Sequence, residues 1–283
     1  MLVGCPNPLV GSVYAPVPSS PVTTPDAEAV MINELMRVLR ASEEWIDSKV
    51  LAVESGSSFA GDDAKTHPFD LSQGVAQSIA VAVDHLHCLR MALTGTGDNV
   101  LRLHAYAPFT LLRATVENAA IAVWVMSESN RKERILRHLR HQLTSIKKLK
   151  KTLALAGDTV APVTTEREDS LLDIADACGI DRARANKEVT ATEIVRSASE
   201  TTGFKNDEMD LMLMFWKISS AVAHGDRGYL PLFEHAVGAQ VRPGVSSVRI
   251  TAPTDWILSG SRGSVAMITA ARRLATHRGT SHL

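Results

Sequence analysis

The sequence predicts an all-α fold, a helical bundle of about five long helices with a small helical insert, a short hairpin and a closing helix. Three observations carry this. Long segments repeat apolar residues at helical spacing. Short breaks such as "TGTGD" and "SESN" join them, which favours antiparallel neighbours. Strand-like alternation is confined to one place, "AQVRPGVSSVRITAP", where Pro-Gly separates two partly alternating runs.

Taken in order, residues 1–25 are rich in Pro, Ser, Thr and Val and keep no period, so they read as a disordered leader. Asp26 reads as an N-cap, and a helix is expected from Ala27 to Val53 through Val30, Met31, Leu35, Val38, Leu39, Trp45 and Ile46. "ESGSSFAGDDAKTHP" then reads as a loop. Long helices are expected over Asp70–Leu93, Asn99–Ser127, Asn130–Ala156 and Asn206–His224. Each exceeds the typical globular length of ~11–12 residues. The polar insert 157–205 should hold two short helices, Thr165–Cys178 and Thr190–Ser199. After the hairpin, a last helix spans Thr254–His277, so residues 26–283 form a single domain.

Composition narrows function. The chain has 30 Lys+Arg against 31 Asp+Glu, so overall charge selects no partner and local charge must decide. Its three cysteines, Cys5, Cys88 and Cys178, form no CxxC pair, which points away from a disulfide framework or zinc site and toward a reducing cytoplasm. No secretory signal is recognisable, and the longest apolar run, "AAIAVWVM", is too short to span a bilayer, so no membrane partner is expected. No metal-ligand spacing, P-loop or dinucleotide fingerprint is present, and no cofactor is implied.

The polar residues inside apolar helices are the candidate site. Lys217 and His224 fall within ~20° of each other on the Asn206–His224 helix, with Ser220 nearby. Apolar residues fill the rest of that helix, so it reads as buried, and its polar stripe requires partners. His224 is expected in an interior polar pocket, neutral, facing Arg113 or the Arg134–Arg137 turn. The bland alternative is a structural network and a helix stop at Gly225. Tyr106, Arg113, Glu117 and Trp124 share a second stripe, and Arg113 with Glu117 is expected inside the bundle. "RKERILRHLRHQLTSIKKLKK" carries nine Lys/Arg and one Glu. Its Arg131, Arg134, Arg137, Arg140, Lys147 and Lys148 are candidate nucleic-acid contacts, against the commoner reading of a solvated face. "SGSRGS" is either a small anion-binding turn or a Gly-rich kink or helix start. "LLDIADACGIDRARANKEV" has a helix-turn-helix outline and keeps a DNA-binding regulator as a minor alternative.

Together, "LLRATVENA", the Arg-rich helix after it and the late helix ending "SSAVAHG" resemble an uncharacterised bacterial family associated with the HEPN superfamily. The resemblance spans about Asp70 to Tyr229. It implies an all-α bundle, often a homodimer, and for many members metal-independent ribonuclease activity in toxin–antitoxin or phage-defence systems. RNA, a second copy and an antitoxin-like protein are the partners it implies. The usual motif is an Arg, four to six residues, then a His; here Lys217 stands where Arg is expected, with six residues between it and His224. The implied catalytic set is His224 moving protons, Lys217 and Arg113 stabilising charge on phosphate oxygens, and Ser220 orienting the imidazole, with Glu117 beside Arg113. The competing function is a non-enzymatic helical interaction module that binds a protein or RNA.

Overall fold

The structure is a computed structural model that describes residues 25–48, 51–94, 102–156, 161–243 and 245–282. It is all-α, with one small antiparallel hairpin. The leader expected over 1–25 lies outside the described residues except for Pro25.

The first expected helix is two. Helix α1 spans Pro25–Leu39 and α2 spans Ala41–Ile46, with Asp26 inside the first turn rather than capping it. Leu35 and Leu39 bury fully on α1, and beyond the break at Arg40 Trp45 packs half-buried against the same core. The stretch read as a loop contains helix α3, Ser58–Thr66. The Ser57 hydroxyl accepts from the Ala60 N–H at 3.1 Å and caps it. Phe59, Asp62 and Thr66 on one face are buried. The Ser, Gly and Asp content suggested loop chemistry, but tertiary burial of that face overrides the weak propensity.

Helix α4 (Leu71–Thr94) and helix α5 (Ala107–Met126) follow. Helix α5 starts later than expected, at the Pro108 turn. It is the core helix, contacted by α4, by α6 (Arg131–Leu153) and most closely among the later helices by α9 (Ala191–Thr202), α10 (Leu211–Ala223) and α11 (Thr254–Gly279). Leu112, Val116, Ala119, Ala120, Ala122, Val123 and Met126 are fully buried along it. Among the described residues this one helix is long and apolar enough to cross a membrane, which the shorter unbroken run had hidden. Packing on several sides accounts for that apolarity.

Apolar spacing along helix α6 marks Leu136, Leu139, Leu143, Ile146 and Leu153 as its core-facing stripe; the first four are buried and Leu153 is half-buried. The insert holds α7 (Ala161–Ala177), the single turn α8 (Arg182–Ala185) and α9. A reciprocal Thr190–Glu193 capping box starts α9. After α10 a 3-10 segment, Arg227–Leu232, leads into strands β1 (Glu234–Arg242) and β2 (Val245–Thr251). They pair antiparallel from Glu234 opposite Thr251, with the register slipping beyond Val237. Phe233 anchors the base of the hairpin between the Tyr106 and Phe109 rings, at 5.4 and 5.7 Å.

The "SGSRGS" segment lies inside α11 and is neither an anion-binding turn nor a helix start. Its role is close packing. A Cβ at Gly260 would stand 2.0 Å from the Phe215 ring, so only glycine lets α10 seat that side chain there.

His138 ties α6 to the start of α4. Its Nε2–H donates to the Phe69 carbonyl at 2.8 Å, and burial pushes its pKa down from 6.5 to about 4. Between those values the unfolded chain holds the additional proton. Stability should therefore be full above pH 6.5, fall as the pH drops toward 4, and level off below. The full loss from this residue is roughly 3 kcal/mol. His138→Gln keeps a donor without the titration. Its urea midpoint should fall less than wild type between pH 7 and pH 5; parallel curves would count against the assignment.

Candidate functional site

Helix α10 is built by its caps. The Asp210 carboxylate accepts from the Leu213 N–H at 3.0 Å and holds the Ser199 hydroxyl at 2.5 Å. At the other end the Gly225 N–H reaches the Val222 carbonyl and the Asp226 N–H reaches that of Ala221. This is a Schellman stop, and Gly225 sits at φ +72°, the left-handed region that favours glycine. His224 is the C-cap residue just before it.

The interior pocket expected around His224 is not there. Lys217 and His224 do share a side of α10, but that side faces solvent: both are exposed, and Ser220 is half-buried. The inward side is held by Met212, Leu213, Phe215, Trp216, Ser219 and Val222. The expectation failed because the helix is apolar on its outer side as well. Leu211, Met214 and Ile218 follow one another at helical spacing on that side, with Leu211 and Met214 exposed and Ile218 half-buried. Apolar residues all round therefore did not mean burial all round.

Arg113 and Glu117 do not lie deep in the bundle either. Their side chains are 32% and 28% exposed and pair at 3.2 Å. Both reach α10 through one residue: the Trp216 indole N–H donates to Glu117 at 3.2 Å, and the Arg113 guanidinium lies 5.7 Å from the Trp216 ring centroid. The stripe splits, with Trp124 buried and Tyr106 exposed. Arg113 is thus occupied one residue away from Lys217 on α10.

The basic helix spends most of its candidate cations inside the molecule. Arg134 is 2% exposed. It grips the fully buried Asp62 of α3 with two bonds, at 2.8 and 2.9 Å, and donates to the Ser58 hydroxyl and to the carbonyls of Glu128 and Ser129. It is a core residue, not a surface contact. Arg131 joins the same carboxylate at 2.9 Å. Arg137 pairs with Glu128, donates to the Trp124 carbonyl and lies over the Trp124 ring. Arg140 donates to the Lys187 and Glu188 carbonyls, and Lys147 to that of Asn186. Lys148 remains at the exposed surface. The face behaves as a clasp on the insert.

The stretch with a helix-turn-helix outline has no second helix of recognition length. Gly179 makes the turn, but α8 is only four residues long. Its Arg182 pairs with Asp173 and Asp176, and Arg184 with Glu133. A recognition helix needs more than one turn to place several side chains along a groove. Among the described residues no three His, Cys, Asp or Glu side chains are grouped to hold a metal ion.

Comparison with protein-family models, with curated proteins and with solved structures finds no match to this chain. The geometry alone must carry the functional reading.

Two features are not visible in the sequence pattern. Asp62 lies in a Ser-, Gly- and Asp-rich stretch with loop-like composition. The other is an open groove beside α2 and α11; its signal is that residues 256–283 contain no Asp or Glu while carrying Arg262, Arg272, Arg273, His277, Arg278 and His282.

The two ion pairs on α5 and α6 should respond differently to mutation. Asp62→Ala leaves the buried Arg134 without its carboxylate and should cost roughly 3–5 kcal/mol. Glu117→Ala removes a half-exposed pair and one indole bond and should cost about 1 kcal/mol. Urea denaturation of both variants tests this, and equal losses would contradict the burial difference.

Proposed function

We propose that this chain is a helical interaction module that acts by self-association through the outer face of α10. The observation that carries it is an unpartnered apolar stripe with complementary charge at its two ends. Met209, Leu211, Met214 and Leu230 are each 40–46% exposed, and Ile218 continues the stripe half-buried. Of these, Leu211, Met214 and Ile218 follow one another on α10 itself, while Met209 lies just before the helix and Leu230 in the 3-10 segment after it; single exposed apolar residues are ordinary, but several in succession mark an interaction surface. Asp207 and Glu208, both exposed, precede the helix. Lys217, His224 and Arg227 are exposed toward its other end, where the Asp226 carboxylate is turned back to its own Gly228 N–H at 2.9 Å. A second copy laid antiparallel would set the acidic end of each against the basic end of the other. That is the self-complementarity a two-fold interface requires.

A second reading, the HEPN-like metal-independent ribonuclease, has one observation in its favour. Lys217 and His224 flank the stripe and are exposed, so pairing through α10 would carry them into the same seam, with the partner's residues completing a site that one copy lacks. Against a one-copy site stands the occupation of Arg113 by Glu117 and Trp216. An antitoxin-like protein covering the same stripe belongs to this second reading.

Sedimentation velocity should show a wild-type dimer that Met214→Glu converts to a monomer with unchanged circular dichroism. A wild-type chain that stays monomeric up to its solubility limit would remove the module reading. The enzyme reading needs its own assay: mixed RNA should be cleaved by the wild-type chain and spared by His224→Ala, and RNA left intact by both would exclude it for this chain.

A further inference from the structure

The groove beside α2 and α11 is the feature of this molecule with the most chemistry and no assigned role. It is open to solvent, holds about 490 Å³, and lies between Trp45 of α2 and the last three turns of α11. Thr269, Arg272, Arg273, Thr276, His277 and Thr280 line one wall, and His282 closes its end. No carboxylate lines it among the described residues.

Its polar groups divide into two kinds. The first is cationic. The Arg272 guanidinium lies 5.7 Å from the Trp45 ring centroid and donates one N–H to the Ser48 hydroxyl at 3.1 Å. Its other terminal nitrogen, Nη1, is buried and has no hydrogen-bond partner. Burial pushes this guanidinium below its ordinary pKa, a cost that an anion in the groove would offset. Arg273, one residue on, is exposed at the groove wall. The His277 and His282 rings pack at 4.8 Å between centroids, with the His282 Nε2–H donating to the His277 carbonyl at 3.2 Å.

The second kind accepts. The Thr269 hydroxyl donates to the Val265 carbonyl at 2.7 Å, and the Thr280 hydroxyl to that of Thr276 at 2.9 Å. Each therefore spends its proton on its own helix and offers only lone pairs to the groove. An anion alone would meet those lone pairs unfavourably. A ligand with hydroxyl donors would satisfy them.

We propose that this groove binds a sugar phosphate, free or as part of a nucleotide. The phosphate lies against Arg272 and Arg273, and the sugar hydroxyls donate to Thr269 and Thr280. Arg272 and the exposed Arg273 line the groove side by side with no carboxylate among its lining residues, and guanidinium groups so placed suit phosphate oxygens. The volume supports more than an inorganic ion, since small-molecule sites begin near 300 Å³. Trp45, which carries Arg272 on one face of its ring, supplies apolar area for the body of the ligand. The groove lies on α2 and α11 and shares no residue with the α10 stripe, so the two readings stand or fall apart.

Titration calorimetry on the full chain tests it with ribose 5-phosphate, adenosine monophosphate, inorganic phosphate and adenosine. Ribose 5-phosphate and adenosine monophosphate should both bind, and adenosine should not. Tighter binding of adenosine monophosphate would identify a nucleotide whose base lies on Trp45; equal binding would identify a sugar phosphate. Arg273→Gln should weaken both esters at least tenfold. That residue is exposed and holds no core contact, so its loss leaves the fold intact, whereas Arg272→Gln also frees Trp45 and Ser48. Inorganic phosphate binding as tightly as either ester would overturn the assignment. So would ester binding that Arg273→Gln and Arg272→Gln both leave unchanged, or no binding of any phosphate probe.

Discussion

The Asp62–Arg134 pair is the constraint on which the remaining architecture rests. Arg134 is fully buried, and a guanidinium in that position is tolerable only if every N–H finds an acceptor. Asp62 takes two of its bonds, and the rest go to Ser58 and to the two carbonyls just beyond the end of α5. One side chain thereby fixes three elements: α3, α6 and the turn that follows α5. Arg137 and Arg278 add to the same turn, donating to the Trp124 carbonyl and to those of Met126 and Glu128. The C-terminal end of the core helix is thus held by three arginines, the sign of charge that a helix C-terminus favours.

That arrangement explains what the basic helix is for. Its apolar stripe faces the core while its cations reach outward in two directions, to α3 and the α5 turn on one side and to the insert on the other. Lys147 and Arg140 draw the backbone before α9 against the helix, and Lys150 pairs with Glu168 of α7. A chain of near-zero net charge can carry so basic a segment because its acids arrive from elements distant in sequence. Of the six cations marked in the sequence as candidate contacts, Arg131 and Lys148 stay exposed, while Arg134 is buried.

Two surfaces carry side chains without such partners among the described residues. The outer side of α10 is apolar and uncovered, and the α11 groove is cationic and uncovered. They have different chemistry and lie on different helices. The occupants proposed above differ accordingly, a second copy of the chain for the first and a sugar phosphate for the second.

The sequence by itself determined the all-α class, the long helices α4, α5, α6, α10 and α11, and the hairpin, because 3.6-residue periodicity and Pro-Gly punctuation are local properties. It also paired Lys217 with His224 on one side of α10, since that follows from helical rotation alone. Tertiary structure decided which side faces inward. Nothing in the periodicity of α10 separates an inner apolar side from an outer one when both are apolar. Nor could it reveal α3, whose Ser-, Gly- and Asp-rich sequence is helical only because Phe59, Asp62 and Thr66 have somewhere to be buried. The reach of Arg134 to Asp62, across 72 positions, is equally invisible in the chain order. Charge in a sequence states how many ions there are; only the fold states which are paired, and an ion left unpaired beside a cavity, such as Arg272, is where binding chemistry remains.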